Sequence, residues 1–154
     1  MLAGAVGNRG LNLWPADPPP GRQRHAFGHG PFARLVMPAL PALPGVYAWE
    51  LGDDVVYVGQ TRSGLMTRLG PNGYSTISTY NTLARQPRRT NGGQQTNCRV
   101  NALANVVLAG GGRLVIWYRV TSGEDSRLEE ARWMSEHGKP DWNRRVERAN
   151  SLIP

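Results

Sequence analysis

Cysteine is almost missing from this chain. Cys98 stands alone, which excludes an intrachain disulfide and a cysteine-rich zinc site and points, weakly, to a reducing, cytoplasmic setting. Apolar runs of membrane-spanning length are missing as well. The best of them, from Val100 to Ala109, is broken by Asn101 and Asn105, so no membrane association is expected. No basic stretch followed by an apolar one opens the sequence, and no signal peptide is expected. Lysine is reduced to Lys139. The glycine run Gly110-Gly111-Gly112 follows a helical pattern rather than a strand and lacks the P-loop lysine, which argues against a nucleotide cradle. The three histidines, His25, His29 and His137, are too scattered for a metal site and read as surface residues.

What is present is arginine. Eighteen basic residues face 11 acidic ones for a net charge of +7, and all but one of the basic residues are arginine. A planar guanidinium matches the oxygens of a phosphate, so this balance favours a nucleic acid over a membrane surface. A GC-rich coding sequence would also enrich arginine over lysine, but leaves the net charge unexplained. With 154 residues and 40% hydrophobic content, one soluble domain with a real core is expected.

The most ordered stretch runs from Gly45 to Val58. Residues 45–51 are apolar and aromatic, Gly52-Asp53-Asp54 has turn chemistry, and residues 55–58 are β-branched and aromatic, which predicts a β-hairpin. Alternation along the first strand sends Val46 and Ala48 to one side and Tyr47, Trp49 and Leu51 to the other. Pairing of the strands brings Tyr47 near Tyr57. Next, Ser63 is placed to cap a short helix with Leu65, Met66 and Leu69 as its apolar stripe and Arg68 late in its course. Residues 70–97 are polar and lack periodicity. They interleave Arg85, Arg88 and Arg89 with Tyr74 and Tyr80, and read either as a nucleic-acid-gripping insertion or as a solvated loop. Thr96 or Asn97 caps a helix with Val100, Leu103, Ala104, Val107 and Leu108 at helical spacing. A strand is predicted over 114–120, then a helix carrying Glu129 and Glu130, with acidic residues at its positive end. Residues 1–40 form a basic, Pro/Gly-rich extension, read as partly ordered because Leu11, Leu13, Trp14 and Phe32 offer apolar anchors. Leu35 to Pro38 suit a short strand or turn.

Gly45-Val46-Tyr47, Tyr57-Val58-Gly59, Arg68, Glu130 with Trp133 and Met134 after it, and Pro140 with Asn143 occur in the order and near the spacing of one family's motifs. On these residues the chain resembles the GIY-YIG nucleases over about Gly45 to Asn143. Arg68 comes one residue later than the commonest spacing, one extra residue separates glutamate from proline, and Gln60 stands where many relatives carry a lysine. The resemblance implies a small α/β (α+β) domain over residues 41–145, with a central antiparallel sheet of about three strands flanked by helices, an inserted loop at 70–97 and a tail at 146–154.

It implies further that the chain is a metal-dependent DNA endonuclease of bacterial restriction, defence or repair. The alternatives are a non-catalytic nucleic-acid-binding module on the same scaffold and an RNA-directed nuclease. In the family's terms Tyr47 is the general base, Tyr57 orients the attacking water or shares its proton, and Arg68 clamps the scissile phosphate. Glu130, or Glu129 beside it, holds Mg²⁺, with Mn²⁺ able to substitute, and Asn143 fixes the site by hydrogen bonding. A free phenol has a pKa of about 10, so the base role needs help. Arg62, Arg85, Arg88, Arg89, Arg144 and Arg145 are the expected DNA contacts, with Tyr74, which relatives also suggest for the catalytic pocket. A double-strand cut from one site per chain implies a homodimer.

Overall fold

Residues 2–84 and 94–143 are described in this computed structural model. In chain order they form β1 (Leu2–Ala5), β2 (Gly7–Asn8), β3 (Leu35–Val36), β4 (Gly45–Leu51), β5 (Asp54–Thr61), α1 (Leu65–Leu69), α2 (Thr79–Thr82), α3 (Gln95–Ala109), β6 (Leu114–Val120) and α4 (Asp125–His137). A 3₁₀ turn follows at Asp141–Asn143. The fold is α+β. Its main sheet is antiparallel with strand order β1-β6-β4-β5, and β2 pairs β3 in a second, two-stranded sheet.

The predicted hairpin is β4–β5. Its two-residue connection turns at Gly52, whose φ of 63° belongs to the left-handed region that glycine enters without a Cβ penalty. The register shifts between Trp49 and Glu50, so a bulge lies within the hairpin. Sides alternate as the pattern requires: Tyr47 and Trp49 are buried, with Val46 and Ala48 only partly so. The third strand, β6, pairs with β4 along its whole length. A fourth strand comes from the N-terminal stretch, where β1 pairs with β6 from Leu2↔Tyr118 to Ala5↔Val115. These small residues carry no strong strand signal, yet their amides complete the ladder.

The rest of the N-terminal stretch is bound down more than its composition suggests, though not by every anchor expected. Phe32, Ala33 and Leu35 are buried and Leu11 packs against the core, whereas Leu13 is 39% and Trp14 71% exposed. The missing grip comes from asparagines. Asn101 donates to the Ala33 carbonyl and accepts from the Ala33 amide, both at 2.8 Å, and Asn105 accepts from the Asn12 amide at 3.2 Å. His25, expected at the surface, is buried. Its backbone amide donates to Thr82 and its ring bonds the Asn81 carbonyl, which ties this segment to α2, and burial lowers its pKa.

Two cap expectations are also corrected. Ser63 does not cap α1: Gly64 holds that position with no side-chain cap, and the Leu65 and Met66 amides donate to the carbonyls of Leu43 and Pro41. Leu65 and Leu69 are buried but Met66 is 51% exposed, so the stripe is narrower than predicted. α3 begins at Gln95, with Gln94 rather than Thr96 or Asn97 at the cap position. Among the described residues no helix is long and apolar enough to cross a membrane.

Candidate active site

Four side chains meet at one phenol oxygen. Tyr74 Oη lies 3.1 Å from Tyr47 Oη, 3.0 Å from Tyr57 Oη and 3.2 Å from an Arg68 terminal nitrogen. Tyr47 and Arg68 donate to it, which uses both lone pairs of the Tyr74 oxygen. Its own proton then goes to Tyr57. The Arg68 guanidinium also lies over the Tyr74 ring, 4.8 Å from the centroid, and its Nε is buried with no partner among the described residues. Tyr47, Trp49 and Tyr57 surround Tyr74 at centroid distances of 5.9–6.2 Å. Tyr74, expected among the DNA contacts, is fully buried and belongs to this network instead.

Each member is placed by local chemistry. Tyr47 stands opposite Gly59 in the β4–β5 register, and a Cβ at Gly59 would lie 2.5 Å from the Tyr47 ring and hydroxyl. The glycine is what lets the phenol lie across the neighbouring strand. Arg68 reaches inward from α1. Tyr74 follows a tight turn in which a Cβ at Gly73 would meet the Arg68 carbonyl at 1.8 Å, and the Tyr74 carbonyl accepts from Asn101 at 2.7 Å. Asn101 therefore holds both the N-terminal segment and the tyrosine. This role was missed in the sequence, although Asn97, Asn101 and Asn105 recur every four residues along one stripe of α3 and all three are buried.

Burial pushes the phenols of Tyr47, Tyr57 and Tyr74 above the ordinary tyrosine range, and the Arg68 charge offsets this only in part. All three are neutral near pH 7. The Arg68 guanidinium stays charged, its desolvation outweighed by the surrounding phenol oxygens.

The carboxylates come from α4. Ser126, the buried residue of α4, donates to the Thr61 carbonyl at 3.3 Å and so fixes the face the helix turns to β5. Positions three, four and seven residues on are Glu129, Glu130 and Trp133. The two glutamates differ sharply. Glu129 bridges Arg119 and Arg132, each at 3.2 Å. Glu130 has no hydrogen bond or ion pair among the described residues. Its pKa is raised by desolvation, with the charges of Arg127 and Arg68 acting against that shift. Glu130 and Tyr47 line one cavity of about 380 Å³ between α4 and the sheet. No group of three His, Cys, Asp or Glu side chains suited to a metal occurs among the described residues.

Asn143 sits apart from the reacting groups. Its carboxamide donates to the Val58 carbonyl at 2.6 Å and accepts from the Val58 amide at 2.8 Å, which gives the outer edge of β5 a side-chain partner in place of a strand. Arg99 donates to the Trp142 carbonyl beside it, and Trp142 packs on Trp49. Arg62 is exposed. Arg85, Arg88, Arg89, Arg144 and Arg145 lie outside the described residues. Compared with models of known families, with curated proteins and with solved structures, the chain matches none.

Proposed function

We propose that this chain is a divalent-metal-dependent endonuclease that hydrolyses DNA phosphodiesters. One observation carries the reading: Tyr47 joins the Tyr74–Tyr57–Arg68 network on one side and, on the other, lines the same cavity as an unpaired carboxylate, Glu130. A phosphodiesterase needs a fixed cation for the phosphate, a ligand for a hard metal and a polar group at the attacking water. Arg68, Glu130 and Tyr47 supply these in that order. Glu130 is favoured over Glu129 as the ligand because two arginines already occupy Glu129.

A lone carboxylate suits a loosely held ion such as Mg²⁺ or Mn²⁺, with water and phosphate oxygens filling the remaining positions. When bound, the ion supplies Lewis acidity and a more acidic water. Arg68 binds the phosphate and holds the charge that grows on its oxygens, with its guanidinium oriented beforehand by Tyr74. The neutral phenol of Tyr47 accepts a hydrogen bond from the attacking water and orients it without taking its proton, which leaves to solvent. Asn143 keeps β5, and with it Tyr57, in register. The exposed Arg62 and the arginines at 85, 88, 89, 144 and 145 serve as DNA backbone contacts, and the setting is cytoplasmic.

The test is cleavage of supercoiled plasmid with Mg²⁺ by the wild type, Glu130→Ala and Arg68→Ala, with and without chelator. Nicked or linear product from the wild type alone, abolished by chelation, supports the reading. The raised phenol pKa values favour a second reading, a binding module that no longer cuts, since no base stands ready at rest. Binding without cleavage of DNA or RNA would select it.

A further inference from the structure

The cavity that Glu130 and Tyr47 line does not stop at them. It continues to Trp117 on β6 and to Trp133 and His137 on α4. On the sheet side its floor is made small: Ala48 faces Trp117 on one neighbouring strand and Val58 on the other. On the helix side Trp133 and Met134 of α4 are only partly buried. One face of the Trp133 indole carries the His137 imidazole, stacked at 4.8 Å between centroids with a 21° tilt. Trp117 Nε1 is buried without an acceptor among the described residues, although a buried indole N–H usually finds one. At the rim Arg119 and Arg132 are 57% and 66% exposed.

An ordinary core position would close over two tryptophans. Here they border a space of about 380 Å³, within the roughly 300–1,000 Å³ of small-ligand sites, and flat aromatic rings with guanidinium groups at the rim are what an unstacked nucleobase and its phosphate require. We infer that this cavity is a subsite for one unpaired base of the bound strand, held against Trp133 and Trp117 next to the scissile phosphate. The inference rests on the nuclease reading and deepens it. The preferred substrate has an unpaired or displaced base beside the cut, and single strands bind better than intact duplex.

The test is fluorescence anisotropy of the full chain with a dye-labelled single-stranded deoxyoligonucleotide and the corresponding duplex, in chelator so that nothing is cut. The wild type is compared with Trp133→Ala, Trp133→Phe, Ala48→Leu and, as a remote control, Trp14→Ala. The single strand is expected to bind the wild type more tightly than the duplex. Trp133→Ala weakens single-strand binding about tenfold, the loss of one base stack, and leaves duplex binding within about twofold. Trp133→Phe restores most of the loss, and Ala48→Leu, which fills the floor, repeats it. Unchanged single-strand affinity in both Trp133→Ala and Ala48→Leu overturns the inference, as does an equal loss on duplex. Should Trp133→Ala fail to fold by circular dichroism, Ala48→Leu decides alone. Cleavage is read separately. Trp133-dependent binding without any cleavage removes the nuclease reading and keeps the subsite, while cleavage with no Trp133 dependence of binding removes the subsite alone.

Discussion

The two faces of the β4–β5 hairpin are built on opposite plans. On one, Tyr47, Trp49, Tyr57 and Tyr74 are buried, and the three phenol oxygens are tied to one another and to Arg68, while Trp49 Nε1 has no partner among the described residues. On the other, Val46 and Ala48 line a cavity of about 380 Å³ against α4, and Glu130 has no hydrogen bond or ion pair among the described residues. On the packed face burial keeps the phenols neutral. The open face leaves a carboxylate partly desolvated and unpaired, which lowers stability and leaves it available to a ligand. Tyr47 is where the two plans meet.

The sharpest way to break this contrast is at Glu130. Glu130→Gln removes the charge with little change in shape and is expected to reduce Mg²⁺-dependent plasmid cleavage below detection. Stability should move the other way. Because the folded-state pKa is raised, the charged carboxylate costs stability where it is ionised, and that cost disappears as pH falls below the unfolded-state value. Thermal melts should therefore show Glu130→Gln more stable than wild type near pH 7, with the gap closing toward low pH. A gap that persisted unchanged at low pH would show that the carboxylate charge is not the cause.

Gly59→Ala attacks the junction from the packed side. The added methyl falls 2.5 Å from the Tyr47 ring, so the phenol must move. Overpacking of this kind costs about 1–3 kcal/mol, and cleavage should fall at least tenfold at temperatures where the variant is still folded by near-UV circular dichroism. Asn143→Ala comes next. It removes two hydrogen bonds from the edge of β5, at about 1 kcal/mol each, and hydrogen exchange should show the Val58 amide losing protection before its neighbours. Glu129→Gln is the smallest. It breaks two exposed ion pairs of about 0–1 kcal/mol each, so the melting temperature should scarcely move and cleavage should persist. Loss of cleavage here would instead make Glu129 the metal ligand.

Much of this contrast was legible in the residues. Period-two alternation and the Gly52-Asp53-Asp54 turn predict the hairpin, its sides and the approach of Tyr47 to Tyr57, because those signals are local. The α4 helix and its glutamates follow from local periodicity too. The asparagine stripe of α3 reads as a solvent-facing edge until one knows which backbone lies against it: Asn101 is buried because the Ala33 and Tyr74 backbones need its amide. Tyr74 lies in a polar, aperiodic stretch, and only the turn at Gly73 and the packing of α3 bring it inward. Trp14 shows the reverse error, a large apolar side chain that finds no core. Glu129 and Glu130 are alike in sequence and are told apart by the ion pairs of Glu129 with Arg132 on its own helix and with Arg119, which comes from a neighbouring strand.

One consequence of the strand order concerns time rather than geometry. Among the described residues β1 pairs only with β6, so residues at positions 2–5 wait for partners at 115–118, while β4 and β5 meet across a two-residue turn. Loop closure makes the first contact slow and the second fast. The hairpin that carries both candidate tyrosines therefore forms early, and the sheet closes late, at the edge opposite β5. Unfolding under stress should begin at that same edge, with the tyrosine network among the last parts to open.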